Sequence, residues 1–188
     1  TEDYDTILDK GWKPFVQSYM PRVIDMQELG ESMSWLMNNT KRLQDNYVEN
    51  GYVVIADSGL NVVPPFESLC GGRSMHKFFM DLVRIPDKIE AVMEVVMEDI
   101  LADIEQAPDY TGSGIGGAWL GGWRGASGMI SPKIWDRFVW PYIDKLAHVL
   151  IDKRYTPVLH WDQDWTRDLE RLNDLPAGRC ILNPDGMT

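Results

Sequence analysis

Tyr-Thr-Pro-Val-Leu-His, residues 155–160, is a short apolar run that ends on a histidine and is followed by Trp161 and Asp162. A run of this length with a proline near its start is typical of a buried strand in a parallel sheet. Similar runs predict the full set of strands, which is 52–56, 115–120, 156–160 and 179–183. Apolar residues at helical spacing predict helices over 86–106, 131–153 and 164–175. This alternation predicts an α/β fold with one parallel sheet.

The chain is expected to divide into a helical lead-in over residues 1–50 and a sheet-forming part over residues 51–188. The second helix of the lead-in is predicted over 25–50, and the proline- and glycine-containing stretch 60–72 is predicted to be a loop. Four strands leave two architectures open. One is part of a closed eight-unit barrel, which needs at least about 200 residues, and the other is a small open sheet. No Gly-x-Gly-x-x-Gly motif follows the first predicted strand, and the phosphate-binding motif Gly-x-x-x-x-Gly-Lys-Ser/Thr does not occur, so a nucleotide-binding sheet loses its main support.

Composition and charge exclude several classes of protein. The 188 residues include 29 acidic and 18 basic side chains, which gives a formal net charge of −11, and 44% are hydrophobic. An acidic excess argues against nucleic acid or an anionic membrane as the main partner. No apolar run approaches the roughly 20 residues that span a bilayer, and no export leader opens the sequence. With only two cysteines, Cys70 and Cys180, the chain is expected to be cytoplasmic.

Carboxylates and a histidine follow the predicted strands, where parallel α/β folds place their functional groups. His160 and Asp162 are two residues apart at one strand end, and Asp185 follows the next strand. An imidazole and two carboxylates form a reasonable ligand set for Zn²⁺ with one position left open. The alternative is that His160 is polar lining and that Asp162 and Asp164 cap the following helix.

A second candidate site follows the predicted strand 115–120. Trp119 and Trp123 can form an apolar wall for a substrate, and Arg124 can bind a carboxylate with its planar guanidinium. Asp57, after the first predicted strand, is a further candidate for substrate binding. The alternative is a packed loop in which Arg124 pairs with a nearby acidic residue.

Three stretches of the sequence resemble the uroporphyrinogen decarboxylase superfamily, most closely its branch of corrinoid-dependent methyltransferases. The first stretch contains three segments: Gly121-Gly122-Trp123-Arg124, Ile130-Ser131-Pro132-Lys133 and Phe138-Val139-Trp140-Pro141-Tyr142. The second stretch is Pro157-Val158-Leu159-His160-Trp161-Asp162, and the third is Leu175-Pro176. The resemblance covers about residues 50–188 and is strongest from residue 115 onward. It implies a (β/α)₈ TIM barrel, of which this chain would form a part with about four parallel strands.

The resemblance also implies a metal, a cofactor and a partner. His160 and Asp185 match two zinc ligands of the methyltransferases, while Asp162 stands where that branch has a cysteine. A carboxylate in place of a thiolate makes bound zinc more Lewis acidic, which favours an O- or N-methyl donor over a thiol. The implied reaction moves a methyl group between a small methylated substrate and the cobalamin of a separate corrinoid protein, with His160, Asp162 and Arg124 as catalytic residues.

Two other functions remain open from the sequence. One is a decarboxylase-like enzyme that acts on a porphyrinogen, with Arg124 and Asp57 holding the substrate carboxylates. The other is a non-catalytic barrel in which His160 and Asp162 only line a cavity. A homo-oligomer is also expected, because part of a barrel leaves two sheet edges open to pairing.

Overall fold

The computed structural model describes residues 1–184. The strands within this part are β1 (Asn61–Val62), β2 (Gly117–Gly122), β3 (Thr156–Trp161) and β4 (Ile181–Pro184). The α-helices are α1 (Glu2–Lys10), α2 (Trp12–Tyr19), α3 (Met26–Glu49), α4 (Pro65–Arg73), α5 (Met75–Arg84), α6 (Pro86–Gln106), α7 (Pro132–Phe138) and α8 (Trp140–Asp152). Short 3-10 helices cover Met20–Arg22 and Thr166–Asp174.

The four strands form one sheet in the order β1-β2-β3-β4, and every neighbouring pair is parallel. The α/β fold with a parallel sheet is therefore confirmed. The predicted strands 115–120, 156–160 and 179–183 correspond to β2, β3 and β4, with bounds that differ by at most two residues. The predicted helix 86–106 is α6, which begins at Pro86, where the missing proline N–H costs no helical hydrogen bond.

The two faces of the sheet have different surroundings. One face, here called the covered face, packs against α8 and belongs to the hydrophobic core. Its buried side chains come from β1 to β3 and belong to Val62, Ala118, Leu120, Leu159 and Trp161, whereas Leu182 of β4 is exposed. The other face, here called the open face, is exposed or half-buried at Asn61, Trp119, Gly121, His160 and Ile181. Val158, in the middle of this face between Trp119 and Ile181 in the register, is fully buried, and Gly117 at the start of β2 is buried as well.

The predicted strand 52–56 is wrong, because these residues form turns and irregular structure outside the sheet. Tyr52 and Val53 are 65% and 73% exposed, so this apolar run is not buried on either face. The chain enters the sheet only at Asn61, within the stretch 60–72 that was predicted to be a loop and that contains β1 and most of α4. Local apolar composition therefore predicted a strand that the tertiary structure does not use.

Two helices differ from their predicted form. The helix predicted over 131–153 is divided at Val139 into α7 and α8. Pro141 explains the break, because a proline inside a continuous helix removes a backbone hydrogen bond and clashes with the preceding turn. The helix predicted over 164–175 is a 3-10 segment that is interrupted by non-helical backbone angles at Asp168.

The lead-in helices differ from one another in how they pack. Helix α1 lies against α6 and contributes Tyr4 and Ile7 to the core. Helix α3 begins at the N-cap Asp25, whose carboxylate accepts hydrogen bonds from Gln27 N and Glu28 N, yet none of its side chains is buried. None of the helices within residues 1–184 combines the length and apolar character required to cross a membrane.

Candidate functional site

His160 and Asp162 meet at the carboxyl end of β3. The imidazole Nε2 lies 2.9 Å from Asp162 Oδ1, and the two side chains are 27% and 34% exposed. Gln163 takes a positive φ of 72°, which turns the chain back directly after Asp162. Trp165 Nε1 donates a hydrogen bond of 2.6 Å to the Asp162 carbonyl and closes this turn. The two-residue spacing read from the sequence therefore brings both side chains together.

Trp119 completes this arrangement from the neighbouring strand. Its indole ring lies on the His160 imidazole, with ring centroids 4.4 Å apart and planes inclined by 32°. Gly121 is paired with His160 in the register, and a Cβ atom there would lie 2.6 Å from Trp119 Nε1. A side chain at position 121 would therefore push the indole away from the imidazole. The absence of a Cβ at Gly121 is what allows Trp119 to cover His160.

His160 Nε2 and Asp162 Oδ1 could serve as two of the ligands of a metal ion. Two ligands of a tetrahedral zinc ion at about 2.1 Å lie about 3.4 Å apart, so Nε2 and Oδ1 would need only to separate slightly. His160 Nδ1 is buried and has no hydrogen-bond partner in the described part of the chain. Within residues 1–184 no group of three His, Cys, Asp or Glu side chains is placed to hold an ion. The predicted third ligand, Asp185, lies outside the described residues.

Arg124 lies beside the same end of the sheet but is paired with an acidic residue. Its Nη1 donates to Glu67 Oε2 at 3.1 Å, and its guanidinium lies 4.6 Å from the centre of the Trp123 ring. Glu67 is 6% exposed, and its other oxygen accepts a hydrogen bond of 3.0 Å from Gly125 N. This is the packed-loop arrangement that the sequence left open as the alternative to carboxylate binding.

Glu67 is the residue of this region that the sequence analysis missed. Burial raises the pKa of its carboxyl group, while the hydrogen bond from Gly125 and the Arg124 guanidinium act in the opposite direction. Glu67 stands in the first turn of α4, after two prolines, and nothing in that local pattern names Arg124 as its partner. Only the tertiary structure brings α4 next to the loop after β2.

Asp57 lies at the opposite end of the sheet from His160. Its Oδ1 accepts a hydrogen bond of 2.8 Å from the backbone N–H of Gly117, which is the first residue of β2. Its Oδ2 accepts another of 2.8 Å from the Tyr110 hydroxyl, and this bond raises the pKa of Tyr110. The predicted position at the carboxyl end of a strand is therefore wrong. Through its hydrogen bond with Gly117, Asp57 anchors the segment before β1 to the amino end of β2.

Asp164 lies in the turn that leads into the segment after the site. Its Oδ1 accepts a hydrogen bond of 2.8 Å from the backbone N–H of Thr166, at the start of the second 3-10 helix. Hydrogen bonds from Thr166 lower the pKa of this carboxyl group. The N-cap of this 3-10 helix is Trp165, which makes no side-chain capping bond, so the alternative in which Asp162 and Asp164 cap the following helix is not confirmed.

Comparisons of this chain with known proteins found no match. No family model matches the chain, and no curated protein or solved structure matches it.

Proposed function

We propose that this chain is part of a cytoplasmic (β/α)₈-barrel methyltransferase of the uroporphyrinogen decarboxylase superfamily. Its reaction transfers a methyl group between a small O- or N-methylated substrate and the cobalamin of a separate corrinoid protein. The observation that carries the proposal is the cluster of Trp119, His160 and Asp162 at the carboxyl end of the parallel sheet. The strand-end motif Pro-Val-Leu-His-Trp-Asp also belongs to the part of the sequence, from residue 115 onward, in which the resemblance to this superfamily is strongest.

The residues of this cluster have different roles in the proposed reaction. His160 and Asp162 would hold Zn²⁺ together with Asp185, and bound zinc supplies a Lewis acid that polarises the heteroatom carrying the methyl group. Trp119 covers one side of the imidazole and limits its rotation. Both donor side chains are about one-third exposed, so a substrate or a cofactor carried by another protein can reach them.

The arrangement argues against the decarboxylase-like alternative. That alternative requires Arg124 and Asp57 to hold carboxylates of one substrate. The two residues lie at opposite ends of β2, a six-residue strand that spans about 20 Å. The positive charge of Arg124 is also already balanced by Glu67. Arg124 and Asp57 are therefore too far apart to bind the carboxylates of one substrate as a pair.

The test compares two histidine–aspartate pairs of the same chain. His148, on α8, lies with its Nδ1 3.3 Å from Asp144 Oδ1 and is 44% exposed, so His148→Ala is a matched control for His160→Ala. We expect His160→Ala to abolish zinc binding in equilibrium dialysis and methyl transfer to cob(I)alamin, while His148→Ala retains both. Asp162→Asn should weaken zinc binding without removing the imidazole.

Two results would overturn the proposal. If His160→Ala binds zinc and transfers methyl groups as well as the unchanged chain, His160 is not part of the site. If the unchanged chain binds no zinc and shows no methyl transfer, His160 and Asp162 are polar lining of a non-catalytic barrel. Circular dichroism of each variant separates loss of the site from loss of the fold.

A further inference from the structure

Helix α3 is long but contributes nothing to the core. It has 24 residues, none of which is buried. Five of its large apolar side chains are about half exposed, and they belong to Met26, Met33, Leu36, Leu43 and Tyr47. An isolated helix in water is marginally stable and usually depends on burial of an apolar face. An apolar surface of this length on one helix marks an interaction site.

The apolar residues of α3 follow a seven-residue repeat. With Met26 as position a, the a and d positions within the helix are Met26, Leu29, Met33, Leu36, Thr40, Leu43 and Tyr47. Six of these seven residues are apolar, and the repeat continues through about three heptads. Apolar a and d positions sustained over this length are typical of a helix that packs along another helix.

The residues that flank this seam carry no charge. The e and g positions are Gly30, Ser32, Met37, Asn39, Gln44 and Asn46. In coiled coils, charges at these positions select one partner and exclude others. Because α3 has none, two identical copies of it can pair without repulsion between like charges. Glu28, Glu31, Lys41, Arg42, Asp45 and Glu49 all lie at the outer positions.

We propose that α3 is a dimerisation helix and that it pairs in antiparallel orientation with α3 of a second copy of this chain. Its first half contains Glu28 and Glu31 without a basic residue, whereas in its second half the charges of Lys41 and Arg42 are balanced by those of Asp45 and Glu49. Antiparallel pairing places the acidic half of each copy beside the neutral half of the other, whereas parallel pairing brings the two acidic halves together. Opposed helix dipoles favour the same orientation.

The antiparallel orientation also gives a consistent register. Leu29 then faces Tyr47 of the other copy, Met33 faces Leu43, and Leu36 faces Thr40. Met37, which is 69% exposed in the single chain, meets its own counterpart at the two-fold axis. The interface is isologous, as expected for a homodimer with closed symmetry.

Sedimentation velocity of the chain and of two variants tests the surface. We expect the unchanged chain to be dimeric, and the double variant Leu36→Glu with Leu43→Glu to weaken the dimer at least about 100-fold, since it would bury unpaired carboxylates in the seam. Trp35→Glu is the matched control, because Trp35 is 66% exposed on the same helix but lies outside the seam. It should remain dimeric.

A monomeric unchanged chain would overturn the proposal, and so would a double variant that dimerises as well as the control.

Disulfide formation between introduced cysteines tests the orientation of the two helices. The experiment uses a Cys180→Ser background, in which the one remaining native cysteine, Cys70, is fully buried and cannot pair with them. A Met33→Cys chain mixed with a Leu43→Cys chain should form a mixed disulfide dimer. If Met26→Cys alone forms a disulfide dimer and the mixture does not, the helices are parallel and the antiparallel register is wrong. All substituted positions except Cys180 lie on α3, which has no buried side chain, so the variants should retain the fold.

Discussion

The covered and open faces of the sheet are built from alternate residues of the same strands but carry different kinds of side chain. In β3, Leu159 and Trp161 point into the core, while His160 lies on the open face beside Trp119. One-residue alternation therefore separates residues that stabilise the fold from residues available for chemistry. Substitutions on the covered face should act mainly on stability, and those on the open face mainly on the site.

The largest difference should appear between Leu159→Ala and Trp119→Ala. Leu159 is fully buried, so its truncation should lower the free energy of unfolding by about 2–5 kcal/mol. Trp119 is larger but half-buried, and its removal should cost about 1 kcal/mol. Urea denaturation measures both values. Equal losses would show that the open face is as well packed as the covered face.

The adjacent glycines of β2 offer a finer comparison. A Cβ atom on Gly122 would lie 2.7 Å from Cγ of the buried Glu67, so Gly122→Ala should cost about 1–3 kcal/mol. Gly121→Ala should cost less, because the half-buried Trp119 can move away, but it should change the environment of His160. Thermal unfolding measures the first effect, and the chemical shifts of the His160 ring measure the second. A larger loss of stability for Gly121→Ala would contradict the distinction between the faces.

Glu67→Gln should change how stability depends on pH. Because the folded state raises the pKa of Glu67 above its ordinary value of 4.5, the unfolded chain loses this proton first as pH rises. The contribution of Glu67 to stability is therefore complete below pH 4.5 and declines as pH rises through the folded-state pKa. Subtracting the unfolding free energies of the Glu67→Gln variant from those of the unchanged chain isolates this decline. A difference that rises with pH in this range would contradict the assignment.

The two cysteines should differ in rate of labelling without any change in stability. Burial raises the pKa of Cys70 to about 12 and that of Cys180 to about 11, so both thiols should react slowly near neutral pH. Cys70 is fully buried, whereas Cys180 is half-buried at the start of the β4 segment. Timed labelling with a thiol reagent should modify Cys180 first and Cys70 only on unfolding. Rapid labelling of Cys70 in the folded chain would place it outside the core.

Local pattern predicted the parts of the fold in which periodicity and burial agree. Helix α6 and strands β2 to β4 were predicted because their apolar residues recur at the spacing that the core requires. The segment 52–56 has the same apolar character, but Asp57 and Ser58 fasten the chain to the amino end of β2 just after it. No local signal reveals such long-range anchoring, so the first strand was predicted in the wrong place.

In the candidate site, too, the sequence predicted local spacing but not long-range contacts. His160 and Asp162 were predicted together because a strand-end spacing of two residues is a local property. The stacking of Trp119 on His160 depends on the register between β2 and β3, and the pairing of Arg124 with Glu67 depends on the position of α4. Both contacts join residues more than 40 positions apart, and sequence spacing carries no information about them.

The order of the strands in the sheet matches their order in the chain, and this bears on how the protein is made. Each strand pairs only with strands that precede or follow it directly along the chain. As the chain leaves the ribosome, β2 can pair with β1, and β3 can pair with β2, before the next strand has emerged. The nascent sheet therefore grows at one edge only, and the edge still to be extended is where a trailing segment or a chaperone would bind during synthesis.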